Sequence, residues 1–244
     1  MANFSKPQTR EGICEPDCEE CGGIGFIGHN VPFGSPGFGK VDFCPNVDKW
    51  SLPGAERYGL TRDEIESMVW SSLIDQKSVQ PAILAVGQVL SRGYGWLYIH
   101  GPVGVGKTFI LKIAIAMSLR GNQEASYVRM AQIIDNLRGS YDQSNGSYEA
   151  QARLNWWSEI PILAIDEFDR VRPTEYSVER QFILMDRRYE DAIRKKSITI
   201  MASNKSPTQL ATDSDPYLMD RIQDHRFKIV ELDLDSRRHI MERS

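Results

Sequence analysis

Nowhere in the 244 residues does an apolar run approach the roughly 20 needed to cross a bilayer. The opening stretch, MANFSKPQTREG, has no apolar core of the kind a secretory leader carries. Both absences point to a cytoplasmic protein with no membrane partner. No cysteine occurs after Cys44, and the others are Cys14, Cys18 and Cys21. In a reducing compartment such clustering favours metal binding over disulfides. A basic excess is also missing, since 29 Lys and Arg face 33 Asp and Glu for a net charge of −4. That excludes a uniformly basic nucleic-acid coat and leaves room for local basic stripes. There is no internal repeat and no low-complexity tract.

What is present falls into three textures. Residues 13–50 hold the cysteines among many glycines and prolines (GHNVPFGSPGFGK) with little periodicity. Such a segment is too small and loop-rich to bury a sufficient core unaided. Residues 61–92 read as helical: Thr61 and Glu64 fit a capping box, and Ile65, Met68, Val69 and Leu73 recur at helical spacing. A second helical run follows Pro81 through Ala82, Val86, Val89 and Leu90, ending at Gly93. From Trp96 onward the strand-like runs WLYIH, ASYVR, PILAID, SITIMAS and FKIVEL alternate with the helix-like runs TFILKIAIAMSLR, MAQIIDNLR and SVERQFILMDRRYEDAI. That rhythm predicts an α/β fold with a mainly parallel five-stranded sheet and helices on both faces. The expected division is 1–50, a small cysteine module; 51–80, a helical linker; and 81–244, the α/β domain.

Between a predicted strand and a long apolar helix lies GPVGVGKT, which fits G-x-x-x-x-G-K-[ST]. Its glycines let backbone N–H groups curl around phosphate oxygens; Lys107 adds a positive charge, and the Thr108 hydroxyl can ligate Mg²⁺. The candidate nucleotide contacts are Gly101, Pro102, Val103, Gly104, Val105, Gly106, Lys107, Thr108 and Phe109. The run ILAIDEFD narrows the chemistry. An apolar strand ends in Asp166, at the sheet edge where ligands of open α/β sheets bind, so Asp166 is expected to hold Mg²⁺. Glu167 follows with the opposite side-chain direction, suited to a general base for an attacking water. A third strand, SITIMASN, ends in Asn204, an ordinary turn residue by itself. In order after the other two motifs, Asn204 is placed to orient the water and sense the γ-phosphate.

The order of phosphate loop, DE strand end, asparagine strand end and downstream arginines resembles the AAA+ ATPases. The runs GPVGVGKT, LAIDEFD, FILMDRRYEDAI, TIMASN, LMDRI and LDLDSRR resemble more closely the DnaC-type helicase loaders and their IstB-type relatives, over roughly residues 80–240. The resemblance implies an ATPase that self-associates with nucleotide, assembles on single-stranded DNA and acts on a replicative hexameric helicase. It implies that Arg221, in LMDRI, is an arginine finger for a neighbouring subunit's nucleotide, and that Arg238, or less directly Arg237, is a last sensor arginine. Arg238 stands in SRR where the relatives usually show Ser-Tyr-Arg. The chain ends six residues after Arg238, so no C-terminal helical lid is expected. Two alternatives stay open: an IstB-like transposition helper that binds duplex DNA, and a nucleotide-gated adaptor with little turnover.

Cys14-x3-Cys18-x2-Cys21 with the distant Cys44 supplies four thiolates, enough to close a tetrahedral Zn²⁺ site. CEECGGIGF resembles the C-x-x-C-x-G-x-G zinc elements at the front of some loaders. Those elements usually end in a second cysteine pair, but here only Cys44 is present, with Asn46 where a partner would stand. The fourth ligand is therefore Cys14 or else His29. A closed site implies partner gripping rather than catalysis. No thioredoxin-like pattern surrounds Cys18 and Cys21, which argues against redox chemistry.

Two stretches are candidates for DNA contact. NLRGSYDQSNGSYEAQAR is polar and loop-like, with Arg138, Tyr141 and Tyr148 as charged or stacking groups, or else a solvated loop. MDRRYEDAIRKK offers Arg187, Arg188, Arg194, Lys195 and Lys196, for which a solvated helix face or a subunit contact serves equally well. Trp156 and Trp157 precede a predicted core strand and read as packing residues.

Overall fold

The computed structural model describes residues 19–20, 26–28, 41–43, 58–70, 73, 77–121, 123–139, 146–212 and 214–233. The chain divides into two compact units, 1–56 and 57–244. In the first, β1 (Phe26–Gly28) pairs antiparallel with β2 (Val41–Phe43), Phe26 lying opposite Phe43. The four cysteines and His29 lie outside the described residues. Among the described ones, no group of three or more His, Cys, Asp or Glu comes together as a metal site.

The second unit is built on five parallel strands: β3 (Gly95–His100), β4 (Ala125–Arg129), β5 (Ile162–Asp166), β6 (Ile198–Ser203) and β7 (Lys228–Glu231). Their order is β4-β5-β6-β3-β7. All five occupy the positions their apolar runs predict. Every residue of β3, β5 and β6 is buried, as strands covered on both faces must be. On β7, at the edge, only Val230 is buried.

Two helices pack with each other and with the sheet: α2 (Gln80–Arg92), which ends at Gly93 as the sequence predicts, and α3 (Lys107–Arg120). A second group packs mutually and against the sheet: α4 (Met130–Gly139), α5 (Gly146–Glu159) and α6 (Glu175–Ile193). The short α7 (Pro207–Leu210) and α8 (Pro216–Ile222) follow β6. No described helix is long and apolar enough to cross a membrane.

Three sequence expectations need correction. The helix begun by the Thr61–Glu64 capping box does form, as α1 (Arg62–Ser67), but it stops at Met68 rather than running on. Its terminal carbonyls find another donor: Arg120 on α3 donates to Ile65 O at 2.7 Å, Glu66 O at 3.1 Å and Met68 O at 2.6 Å. Orphan carbonyls at a helix end need such partners, and a side-chain guanidinium supplies three at once.

Second, residues 146–153, expected as loop, open helix α5, whose buried Ala150, Leu154 and Trp157 form one stripe. Third, Arg188 is not on a solvated face. It is 0% exposed and donates to Thr199 Oγ1, to Ile198 O and to the carbonyls of Trp157, Ser158 and Ile160. It therefore ties the end of α5 to the start of β6. Full burial lowers its pKa, partly offset by Asp191, yet five acceptors keep it charged. Trp157 is buried and Trp156 packs beside it, as expected.

Candidate nucleotide site

Strand β3 delivers the chain to the carboxyl edge of the sheet at His100, and Gly101 turns it into the phosphate loop. Gly101 has φ 150, and a Cβ there would lie 2.2 Å from the carbonyl oxygen of Leu232. Any side chain would force the end of β7 away from β3, because Leu232 N also donates to His100 O at 2.7 Å. The loop closes at Gly106 with φ 105, the N-cap of α3. That left-handed cap aims the first N–H groups of α3 into the loop, where a helix N-terminus favours an anion.

Around the loop is a cleft of about 390 Å³. Of the residues singled out by sequence, Val103, Gly104, Gly106, Lys107, Thr108, Phe109, Asp166, Glu167 and Asn204 all line it. Gly101 and Pro102 enter through their carbonyls, and Val105 is buried beneath the loop. Lys107, 8% exposed, donates from Nζ to Gly101 O at 2.6 Å, Pro102 O at 2.8 Å and Asn204 Oδ1 at 3.0 Å. Burial lowers its pKa, against the opposing pull of Asp169 and Asp166. These carbonyl and amide acceptors are weaker partners for an ammonium than phosphate oxygens.

Asp166 is 3% exposed at the end of β5. Its Oδ2 accepts from Tyr127 Oη at 2.8 Å and its Oδ1 from Glu167 N at 2.8 Å. One carboxylate and the Thr108 hydroxyl, both oxygen donors beside a phosphate loop, match the hard-ligand preference of Mg²⁺. Glu167 has φ 49, a left-handed conformation rare for a side chain of its kind. Its carboxylate lies 4.0 Å from Arg129 Nε.

Four contributors were not singled out in the sequence. Asp169 accepts from Asn204 N at 2.9 Å and from its Nδ2 at 3.4 Å, fixing the amide so that Oδ1 faces Lys107. Tyr127 supports Asp166; its own pKa is pushed up by burial and by that carboxylate. Arg129 ends β4 in register with Asp166, so the strand-end reasoning that found Asp166 could have found it too. Met68, beyond α1, lines the cleft through contacts that no local pattern encodes.

Arg221 is not in this cleft. On α8 it pairs with Asp186 of α6, with its guanidinium carbon 5.1 Å from the ring centres of both Phe182 and Tyr189. Asp224, just beyond α8, holds Arg226 and Tyr189. One Arg221 nitrogen, Nη1, is buried without a partner among the described residues. Arg237 and Arg238 lie outside the described residues.

The family model for IstB-like ATP-binding proteins matches residues 70–244. No curated protein sequence matches the chain. The fold is similar to that of AMPPCP-bound DnaA from Aquifex aeolicus, at TM-score 0.62 and 20% identity over 75% of this chain and 55% of that one. It is also similar to DnaI, at TM-score 0.56 and 18% identity over 71% and 94% of the two chains. The DnaC helicase loader matches at TM-score 0.52 and 20% identity over 65% and 92%. The chain spans about half the length of the DnaA structure it matches. The shared architecture is that of an AAA+ P-loop NTPase.

Proposed function

The chain belongs to the family of IstB-like ATP-binding proteins, and on that premise we propose that this AAA+ ATPase loads a replicative hexameric helicase onto single-stranded DNA. The observation that carries the proposal is the convergence of Lys107, Asp166, Glu167 and Asn204 on one cleft at the carboxyl edge of the sheet. DnaI and the DnaC helicase loader share the fold over most of their own length.

In this role the loop from Gly101 to Phe109 wraps the phosphates, and Lys107 exchanges its carbonyl partners for β- and γ-phosphate oxygens. Thr108 and Asp166 would hold Mg²⁺, which supplies neutralisation of charge on the leaving phosphate. Glu167 accepts the proton of the attacking water as its oxygen bonds to phosphorus and the bond to the β-phosphate oxygen breaks. Asn204, held by Asp169, orients that water.

Arg221 serves a neighbouring subunit's nucleotide, so assembly exchanges Asp186 for a γ-phosphate; Arg238 completes the site by the family pattern. Cys14, Cys18, Cys21 and Cys44 bind Zn²⁺ in a module that grips the helicase.

ATP turnover measured alone, with single-stranded DNA and with duplex DNA tests the assignment, together with copurification of a tagged candidate helicase. Stimulation by single strands and helicase capture are expected. The family match itself favours one second role, a transposition helper; stimulation by duplex and no helicase capture would select it. Indifference to both DNAs would select a nucleotide-gated adaptor.

A further inference from the structure

At the opposite end of β3 from the phosphate loop lies a second groove, of about 280 Å³. Four residues of β3, 97–100, lie between Trp96 and Gly101, which are about 17 Å apart at 3.3 Å per residue, so the groove is no extension of the nucleotide cleft. Trp96 and Phe227 form its aromatic wall, stacked at 5.4 Å with their planes 21° apart. Tyr94 stands at its mouth, half-buried, with the Arg92 guanidinium 4.1 Å and Lys195 Nζ 5.4 Å from its ring centre. Arg92 and Lys228 are exposed where they line the groove, and the exposed Lys195 stands beside it over Tyr94. Asp224, the carboxylate beside that rim, is already held by Arg226 and Tyr189. Arg92 above all, and Lys195 with it, lowers the pKa of the Tyr94 phenol, a sign of positive potential at the mouth.

The tryptophan of that wall is itself almost wholly buried. Trp96 is 2% exposed, yet its indole N–H has no acceptor among the described residues. A buried donor left unpaired costs about 1–3 kcal/mol, so such groups are few and usually have a reason. An aromatic wall and a basic rim together suit a chain of phosphates carrying flat bases.

We propose that this groove, formed by Tyr94, Trp96 and Phe227 and rimmed by Arg92, Lys195 and Lys228, binds single-stranded nucleic acid. The assignment rests on the loader role and places the strand at the amino edge of the sheet, away from ATP. Neither the polar stretch around Arg138 nor the buried Arg188 is needed for it.

The test uses the full chain and a fluorescent oligothymidylate, read by anisotropy across a salt series, with a labelled polyglutamate as second probe. Combined R92E, K195E and K228E changes only exposed side chains. It should weaken oligothymidylate binding at least about tenfold and flatten the slope of log affinity against log salt by about two, the value for three lost phosphate contacts. Y94L, which removes the ring but keeps bulk, should weaken binding about fivefold. Binding of a fluorescent ATP analogue should stay unchanged in both variants.

Wild-type binding that survives the triple variant overturns the groove while leaving the loader role intact. Wild-type protein that binds no oligothymidylate with or without nucleotide overturns both. Loss of polyglutamate binding with oligothymidylate binding retained marks the groove as a dock for an acidic protein and also overturns the proposal.

Discussion

At the carboxyl end of the sheet Lys107 is 8% exposed and bonds to two loop carbonyls and the Asn204 amide. At the amino end Arg188 is 0% exposed and bonds to one hydroxyl and four carbonyls. Both are buried cations, but their acceptors differ in kind. The lysine's partners stand on the wall of a cleft, where phosphate oxygens can take their place. The arginine's partners are the end of one helix and the entries to strands, which nothing else can satisfy. A buried charge with replaceable partners is a binding device, whereas one with fixed partners is a fastening. Left-handed backbone at a non-glycine residue occurs at both ends, at Glu167 with φ 49 on the carboxyl side and at Lys195 with φ 60 on the amino side, but only the glutamate lines the nucleotide cleft.

Replacing each cation tests the distinction most severely. R188M keeps bulk but takes the guanidinium away from four buried carbonyls and a hydroxyl, and should destabilise by about 3–5 kcal/mol, read as a lowered midpoint in denaturant unfolding. K107A should cost no more than about 1 kcal/mol without nucleotide, because water can reach the freed carbonyls from the cleft. It should nevertheless abolish binding of a fluorescent ATP analogue and the rise in Tm that ATP gives the parent protein. Equal destabilisation by the two changes would erase the contrast.

The strained glutamate offers the next test. E167Q should retain nucleotide and lose about 10²-fold or more in turnover, since the amide accepts no proton. E167G should also lose turnover but gain about 1 kcal/mol in unfolding free energy, because glycine adopts a positive φ freely. A gain in stability coupled to loss of activity would locate strain in the machinery itself. Destabilisation by E167G would instead mean that contacts of the side chain, such as the approach to Arg129 at 4.0 Å, outweigh its backbone strain.

The contrast between the ends also explains what could be read from sequence. Strand runs, the phosphate loop and Asp166 are legible because each is a local pattern of apolar residues ending in a polar one at a sheet edge. Arg188 was not, because within DRRYED nothing local distinguishes the arginine turned inward from Arg187, which reaches Asn155 on the surface. Helix α5 was hidden since its stripe of Ala150, Leu154 and Trp157 is narrow and interrupted by Gln151, Arg153 and Asn155. Asp169 reaches Asn204 across 35 residues and Asp186 reaches Arg221 across a similar span. Partners so distant are chosen by the folded sheet, and a single sequence carries no trace of the pairing.

The smallest expected effect separates the two ends by pH. His100, last residue of β3, is buried beside the phosphate loop; burial lowers its pKa below the ordinary 6.5, Lys107 adds to that, and Glu231 opposes it. Above pH 6.5 neither the folded nor the unfolded chain is protonated at this position, and full stability is present. As the pH falls through 6.5 the unfolded chain takes up a proton that the folded one still refuses, so stability declines until the lower folded pKa is passed. Carboxylates act in a different range: burial alone would raise Glu64, but Lys112 and Thr61 hold it below 4.5, and Arg226 holds Asp224 below 3.8. Their losses begin at more acid pH. H100Q should therefore flatten the fall in unfolding free energy just below pH 6.5, by less than about 1 kcal/mol, and leave the steeper acid loss in place. R188M should shift the whole profile down without changing its shape, because the guanidinium does not titrate in this range. A parent profile already flat through pH 6.5 would place His100 in contact with water and remove the carboxyl end's claim to a buried, titrating neighbour of Lys107.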